Sequence, residues 1–124
     1  MLAERDRAQL LVIDVQSKLA PHIESQAEVV ANCARLIGYA RQLGVPITIT
    51  EHYPKGLGPT ADAVIDAAGN EPPRLEKITF SCWKDQAIRA RVEGLAAKGR
   101  DQVVVAGQDG VDDAHIAKAI LEGG

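Results

Sequence analysis

The sequence predicts an α/β protein: a doubly wound parallel sheet with helices on both faces, in three α/β/α layers. Three observations carry this reading. Short apolar runs rich in β-branched residues recur along the chain, as AQLLVIDV at 8–15, PITIT at 46–50 and QVVVAG at 102–107. Between them lie stretches whose apolar residues return at helical spacing. Capping residues stand at the ends of those stretches. Strands that alternate with amphipathic helices build a parallel sheet covered on both sides.

The elements follow in order. Ala8 to Val15 is too short for a free-standing helix and reads as a strand buried on both faces. Ser25 and Glu28 have capping-box spacing, and a helical stripe follows at Val29, Val30, Cys33, Leu36, Ile37 and Ala40. Gly44 should stop that helix, because glycine accepts the left-handed cap conformation. Pro46 to Thr50 is the second strand. Glu51 to Arg74 holds four of the six prolines and reads as a long loop with a short helix at Ala61–Ala68. A connection of that length in a compact domain is usually functional. Glu76 to Phe80 is expected as the third strand. Asp85 can cap a helix with Ile88, Val92 and Leu95 on its apolar side and Gly99 at its end. Val103 to Ala106 is the fourth strand, and Asp112 or Asp113 can cap a last helix through Ile116, Ala119 and Ile120.

The bulk properties exclude several classes. The chain has 124 residues, 46% hydrophobic and 25% charged, enough for one globular domain over 1–124. Its net charge of −3, with acids and bases mixed along the chain, lacks the basic stripe of a nucleic-acid binder. No apolar stretch approaches the ~20 residues that span a bilayer, so no membrane partner is expected. MLAERDRAQ has no apolar signal core. Cys33 and Cys82 suit neither a disulfide framework nor a zinc site, and a cytoplasmic location is expected.

Ligands of open parallel sheets bind beyond the carboxyl ends of the strands. Asp14 closes strand one, Glu51 and His52 close strand two, Lys77 lies at strand three, and the 107–113 segment follows strand four. A carboxylate directly after LLVI is poorly solvated. It either acts in acid–base chemistry with a cationic partner or simply caps a turn, and spacing alone leaves both open. Lys77 gains meaning only if it lies across the crevice from Asp14; otherwise it is a solvated surface charge. Glu51 and His52, adjacent in a strand, face opposite sides and chelate poorly, so no metal is expected. Cys82 reads as an inert thiol, His22 as a loop residue and His115 as a helix-surface residue. Asp112 and Asp113 suit a helix N-terminus electrostatically.

LLVIDVQSKL, ITITEHYPKGLGPT, LEKITFSCW and QVVVAG, in that order, resemble the isochorismatase-like hydrolases, also called the cysteine hydrolases, over about residues 8–110. The match is to the isochorismatase-domain-containing branch. The resemblance implies an aspartate at the end of strand one, here Asp14, and a lysine near strand three, here Lys77. It also implies a nucleophilic cysteine after strand four. Counted from Gly107, the cysteine position holds Asp113 in this chain. In the family mechanism the aspartate takes the thiol proton, the lysine stabilises the charged pair, and backbone amides near the cysteine hold the oxyanion. A cis peptide in that region would fall at Gln108–Asp109. The pocket would be lined by Gln16, Glu51, His52, Tyr53 and Leu57.

The resemblance implies no cofactor and a small-molecule substrate carrying a C–N, ester or vinyl-ether bond. It also implies two further strand–helix units, in the order 3-2-1-4-5-6, whereas this chain stops at LEGG. A truncated domain with strand four as an open apolar edge is therefore expected, completed by a homo-oligomer or another partner. A carboxylate is a far weaker nucleophile than a thiolate, and Asp113 near Asp14 could not ionise cheaply. The alternative to a thiol-free hydrolase is thus a catalytically inactive, oligomerising family member.

Overall fold

A computed structural model describes residues 5–16, 26–52, 58–70, 72–77 and 85–107, with the backbone alone at 26–29 and 77. Its elements are β1 (Ala8–Ile13), α1 (Gln26–Gln42), β2 (Ile47–His52), α2 (Asp62–Ala68), β3 (Arg74–Lys77), α3 (Gln86–Ala97) and β4 (Gln102–Gly107). The strands form one parallel sheet in the order β3-β2-β1-β4. The last predicted helix lies outside the described residues, as do Ser25, His22, Cys82 and His115.

β1 is central and all six of its residues are buried, which explains why its sequence is apolar without alternation. Its even positions Leu10 and Val12 pack with Ile47 and Ile49 of β2 against Cys33, Ile37 and Ala40 of α1 and Val64 and Ala68 of α2. Its odd positions Leu11 and Ile13 face the other way, onto Ile88 and Val92 of α3, with Leu75, Val103 and Val105 at the margin. The two cores make the three layers. Each fully buried Leu, Ile or Val side chain contributes about 1.5–3 kcal/mol relative to exposure.

One polar residue breaks the pattern of β1. Gln9 is 1% exposed, and its side-chain Nε2 donates to the carbonyls of Val92 (3.1 Å) and Arg100 (2.7 Å). It ties β1 to the end of α3 and leaves neither donor unsatisfied.

Both predicted glycine stops are realised in the same way. Gly44 has φ +72°, its N–H donates to Arg41 O (3.3 Å), and Val45 N–H donates to Ala40 O (2.8 Å). Gly99 has φ +104°, with Gly99 N–H to Ala96 O (3.0 Å) and Arg100 N–H to Leu95 O (2.9 Å). These paired bonds form the Schellman cap and satisfy carbonyls that the helix cannot. Asp85 caps α3 as expected, its Oδ1 accepting from Ile88 N–H at 3.1 Å. Leu36, expected on the core stripe of α1, is instead 37% exposed, and with Tyr39 and Leu43 it lines a hollow shared with Ala8, Leu10 and Val104.

Two strand boundaries differ from expectation. β2 runs past Thr50 to His52, because Glu51 and His52 pair with Glu76 and Lys77 of β3 while the side chain of Gln16 accepts from His52 N–H. β3 begins at Arg74, earlier than Glu76, because Ile49 N–H is already satisfied by Pro73 O (3.0 Å) and the ladder continues as Ile49↔Arg74 and Thr50↔Leu75. Residues beyond Lys77 in the expected third strand lie outside the described set.

Candidate active site

The register aligns the carboxyl ends of all four strands. Ile13 stands opposite Thr50 on β2 and Gly107 on β4, and His52 stands opposite Lys77 on β3. Asp14 follows Ile13 directly, so Asp14, Glu51, His52 and Lys77 occupy one edge of three neighbouring strands.

Asp14 leaves the strand with φ +54°, the only positive φ of a non-glycine residue among the described residues. Left-handed backbone costs most side chains about 1 kcal/mol or more, and aspartate tolerates it better than most. The turn is fastened twice. Asp14 N–H donates to Thr50 O (3.2 Å), and Thr50 Oγ1 donates to Asp14 Oδ1 (2.8 Å). Thr50 is fully buried and Asp14 half-buried, so the carboxylate is held at the rim of the core with one oxygen fixed by a buried hydroxyl. The contact lies on the α3 side of the sheet, where Thr48, two residues earlier, accepts from Arg91 Nε of α3 (3.2 Å).

Glu51 and His52 alternate across β2 as strand geometry requires. Glu51 is 7% exposed, and its Oε2 accepts from the N–H (2.7 Å) and the Oγ1 (2.8 Å) of Thr60. His52 is half-buried, and its backbone is clasped by Gln16: Oε1 accepts from His52 N–H (2.7 Å) while Nε2 donates to His52 O (3.0 Å) and Gly58 O (2.7 Å). Gln16 is fully buried, and it also forms an antiparallel bridge with Thr60, next to the bond from Ala61 N–H to Val15 O (2.8 Å). The segment after β1 and the segment after Gly58 are thereby stitched together at the mouth of the crevice.

Gln16 and Glu51, expected as pocket residues, hold the crevice in shape with their polar atoms directed to the backbone and to Thr60. Lys77 takes the register position opposite His52, two residues after Leu75, whose side chain packs on the α3 core. The structure thus brings Asp14, His52 and Lys77 to one end of the sheet. Tyr53, Leu57, Gln108, Asp109 and Asp113 lie outside the described residues; Gly107, the residue before Gln108, is level with Ile13. Sequence reasoning passed over Thr50 and Thr60. Their signal was faint: threonine alternating with isoleucine in a strand reads as an ordinary β-former. Among the described residues, no group of three or more His, Cys, Asp or Glu side chains is placed to hold a metal. No helix among them is long and apolar enough to cross a membrane.

Comparison with known proteins agrees with this fold. A family model described as isochorismatase domain matches residues 8–109. The isochorismatase domain-containing protein 2 of Danio rerio is 46% identical over 72 residues, which are 58% of this chain and 35% of that protein. The isochorismatase domain-containing protein 2A of Mus musculus is 42% identical over 72 residues, again 58% of this chain and 34% of that protein. The aligned segment therefore spans about a third of the length of these relatives. Among solved structures, the YcaC gene product of Escherichia coli superposes with a TM-score of 0.80 at 20% identity, over 98% of this chain and 60% of that one. That protein is described as an octameric hydrolase of unknown specificity.

Proposed function

The chain belongs to the isochorismatase domain family, and from that premise we propose that it is a hydrolase domain whose chemistry centres on Asp14. The substrate class is a small molecule with a C–N, ester or vinyl-ether bond. Asp14 carries the proton, Lys77 is its cationic partner, and Asp113 stands in the position of the family cysteine. Asp109 and Gln108 contribute backbone amides to an oxyanion site, and Tyr53 and Leu57 line the pocket beside His52.

The observation that carries this reading is the fastening of Asp14 by Thr50 at the carboxyl edge of the sheet. A carboxylate oriented by a buried hydroxyl is a positioned group, and a positioned acid or base raises rates by about 10²–10⁴. With no thiol in the nucleophile position, the vinyl ether is the substrate that asks least of this site. Protonation of its terminal carbon by Asp14 yields an oxocarbenium ion, water adds to it, and the hemiketal collapses to a ketone and an alcohol. Attack on an amide, by contrast, needs a nucleophile stronger than the Asp113 carboxylate. The full chain should be assayed on matched vinyl-ether, ester and amide substrates beside Asp14→Asn. Vinyl-ether turnover that disappears in the variant is expected; turnover unchanged by it defeats the proposal.

A second reading is favoured by the sheet edge. Among the described residues β4 pairs with β1 alone, and its sequence QVVVAG carries no charge or proline to deter pairing with another chain. An inactive, oligomerising member of the family is consistent with that edge and with the octamer described for YcaC. Sedimentation of the full chain separates the cases: a monomer rules out the oligomer.

A further inference from the structure

At the opposite end of the sheet from Asp14, a hollow of about 260 Å³ opens between the end of α1, the start of β2 and the turn after α2. It is lined by Gly44, Val45, Pro46, Ile47, Ala68 and Pro72, with a guanidinium on either side, from Arg41 and Arg91. Arg41 belongs to the last turn of α1 and Arg91 to α3, so the two cations reach this hollow from opposite faces of the sheet.

Arg91 is held by neutral groups at two points, and Arg41, an exposed residue, touches one. Arg41 NH1 donates to Ala67 O (3.5 Å), and its guanidinium lies so close over Gly69 that a Cβ there would meet it at 2.9 Å. Arg91 donates through Nε to Thr48 Oγ1 (3.2 Å) and through NH2 to Ile47 O (3.4 Å). Among the described residues no carboxylate lines the hollow and neither arginine forms an ion pair. A guanidinium carries five N–H donors. Among the described residues one is engaged on Arg41 and two on Arg91, and both residues line the same hollow.

We propose that this hollow is a binding site for a small oxyanion, a phosphate group in particular, held between Arg41 and Arg91. Two cations with no counter-charge among the described residues complement a dianion, and the fork of each guanidinium matches paired oxygens. The two hydrogen bonds of Arg91 lower the ordering cost of binding at that side chain. The site is separate from the proposed chemistry at Asp14 and does not depend on it.

Inorganic phosphate is the direct probe, titrated against the full chain by calorimetry and by thermal melting at ionic strength held constant with sodium chloride. Acetate run in parallel distinguishes a phosphate site from a general carboxylate site. Saturable phosphate binding that raises the melting temperature is expected, weakened roughly tenfold or more in Arg41→Gln. Arg91→Lys, which keeps the charge and loses the fork, should weaken it as well and guards against misfolding of Arg91→Gln. Phosphate that stabilises no more than chloride, or that binds the parent and both variants alike, overturns the site. Acetate binding as tightly as phosphate overturns the preference for a dianion.

Discussion

Thr50 donates its hydroxyl to Oδ1 of Asp14 across 2.8 Å, from a position with no solvent exposure. The pair joins the two central strands at the edge where the family's chemistry is expected, and it couples the orientation of one carboxylate to the core.

Thr50→Val removes the hydroxyl while keeping the shape, and it should cost about 1–3 kcal/mol by leaving a partly buried carboxylate oxygen short of a donor. Thr50→Ser should retain most of the parent's stability. Urea unfolding of the three proteins measures this, and a valine variant as stable as the parent would show that the bond contributes nothing.

Asp14→Asn is the clean probe of the carboxylate, since asparagine also tolerates the left-handed backbone found at φ +54°. Asp14→Ala should unfold more easily than Asp14→Asn, by about 1 kcal/mol, because alanine meets the full steric cost there. Equal stabilities would mean that the turn relaxes when the side chain changes.

Gln16→Leu should be among the most destabilising substitutions near the crevice, on the order of 3 kcal/mol, since it strands His52 N–H and two carbonyls at once. Hydrogen exchange should show early opening at His52 with little change in β4. Uniform protection across the sheet in the variant contradicts the local clamp.

Asp113→Cys should gain esterase or amidase activity that the parent lacks, because a thiolate would then stand after β4 with Asp14 as its base. Stopped-flow with an activated ester, looking for a burst of leaving group, is the measurement. Amide turnover by the parent, lost in Asp113→Ala, would falsify the idea that the position is silent.

The fork of Arg7, through Nε and NH2 to the two oxygens of Asp101 (2.9 and 2.8 Å), holds that carboxyl below its ordinary 3.8. A carboxyl depressed by folding stabilises the folded state above the unfolded value, and the contribution fades as pH falls through the folded value. Arg7→Gln should therefore flatten the stability profile only below about pH 4. The pair is exposed, so the effect is expected to be small and reduced by salt.

Much of the architecture was legible because its determinants are local. The unbroken apolar run of β1, the glycines at 44 and 99 and the Asp85 cap each act within a few residues, and each is where the sequence placed it. The clamps were not legible for the opposite reason. Gln16 reaches His52 and Gly58, 36 and 42 residues away, and Thr50 reaches Asp14 across 36. Nothing in the neighbourhood of a glutamine or threonine announces a partner at that distance. Asp14 and Lys77 were singled out by their places at strand ends and given roles by the resemblance, and register sets β1 and β3 ending at the same edge of the sheet, with β2 between them.

The central place of β1 sets a clock for folding. Its pairing with β4 joins residues 94 positions apart, as the Arg7–Asp101 contact at its base shows. A nascent chain can assemble β1 with β2 and β3 early, but the other side of its first strand stays unzipped until Gly107 has left the ribosome. Parallel sheets fold slowly for this reason, through loop closure that precedes any gain from contact. During that interval the most apolar segment of the protein is an exposed edge, the period when a chaperone or a neighbouring copy can reach it.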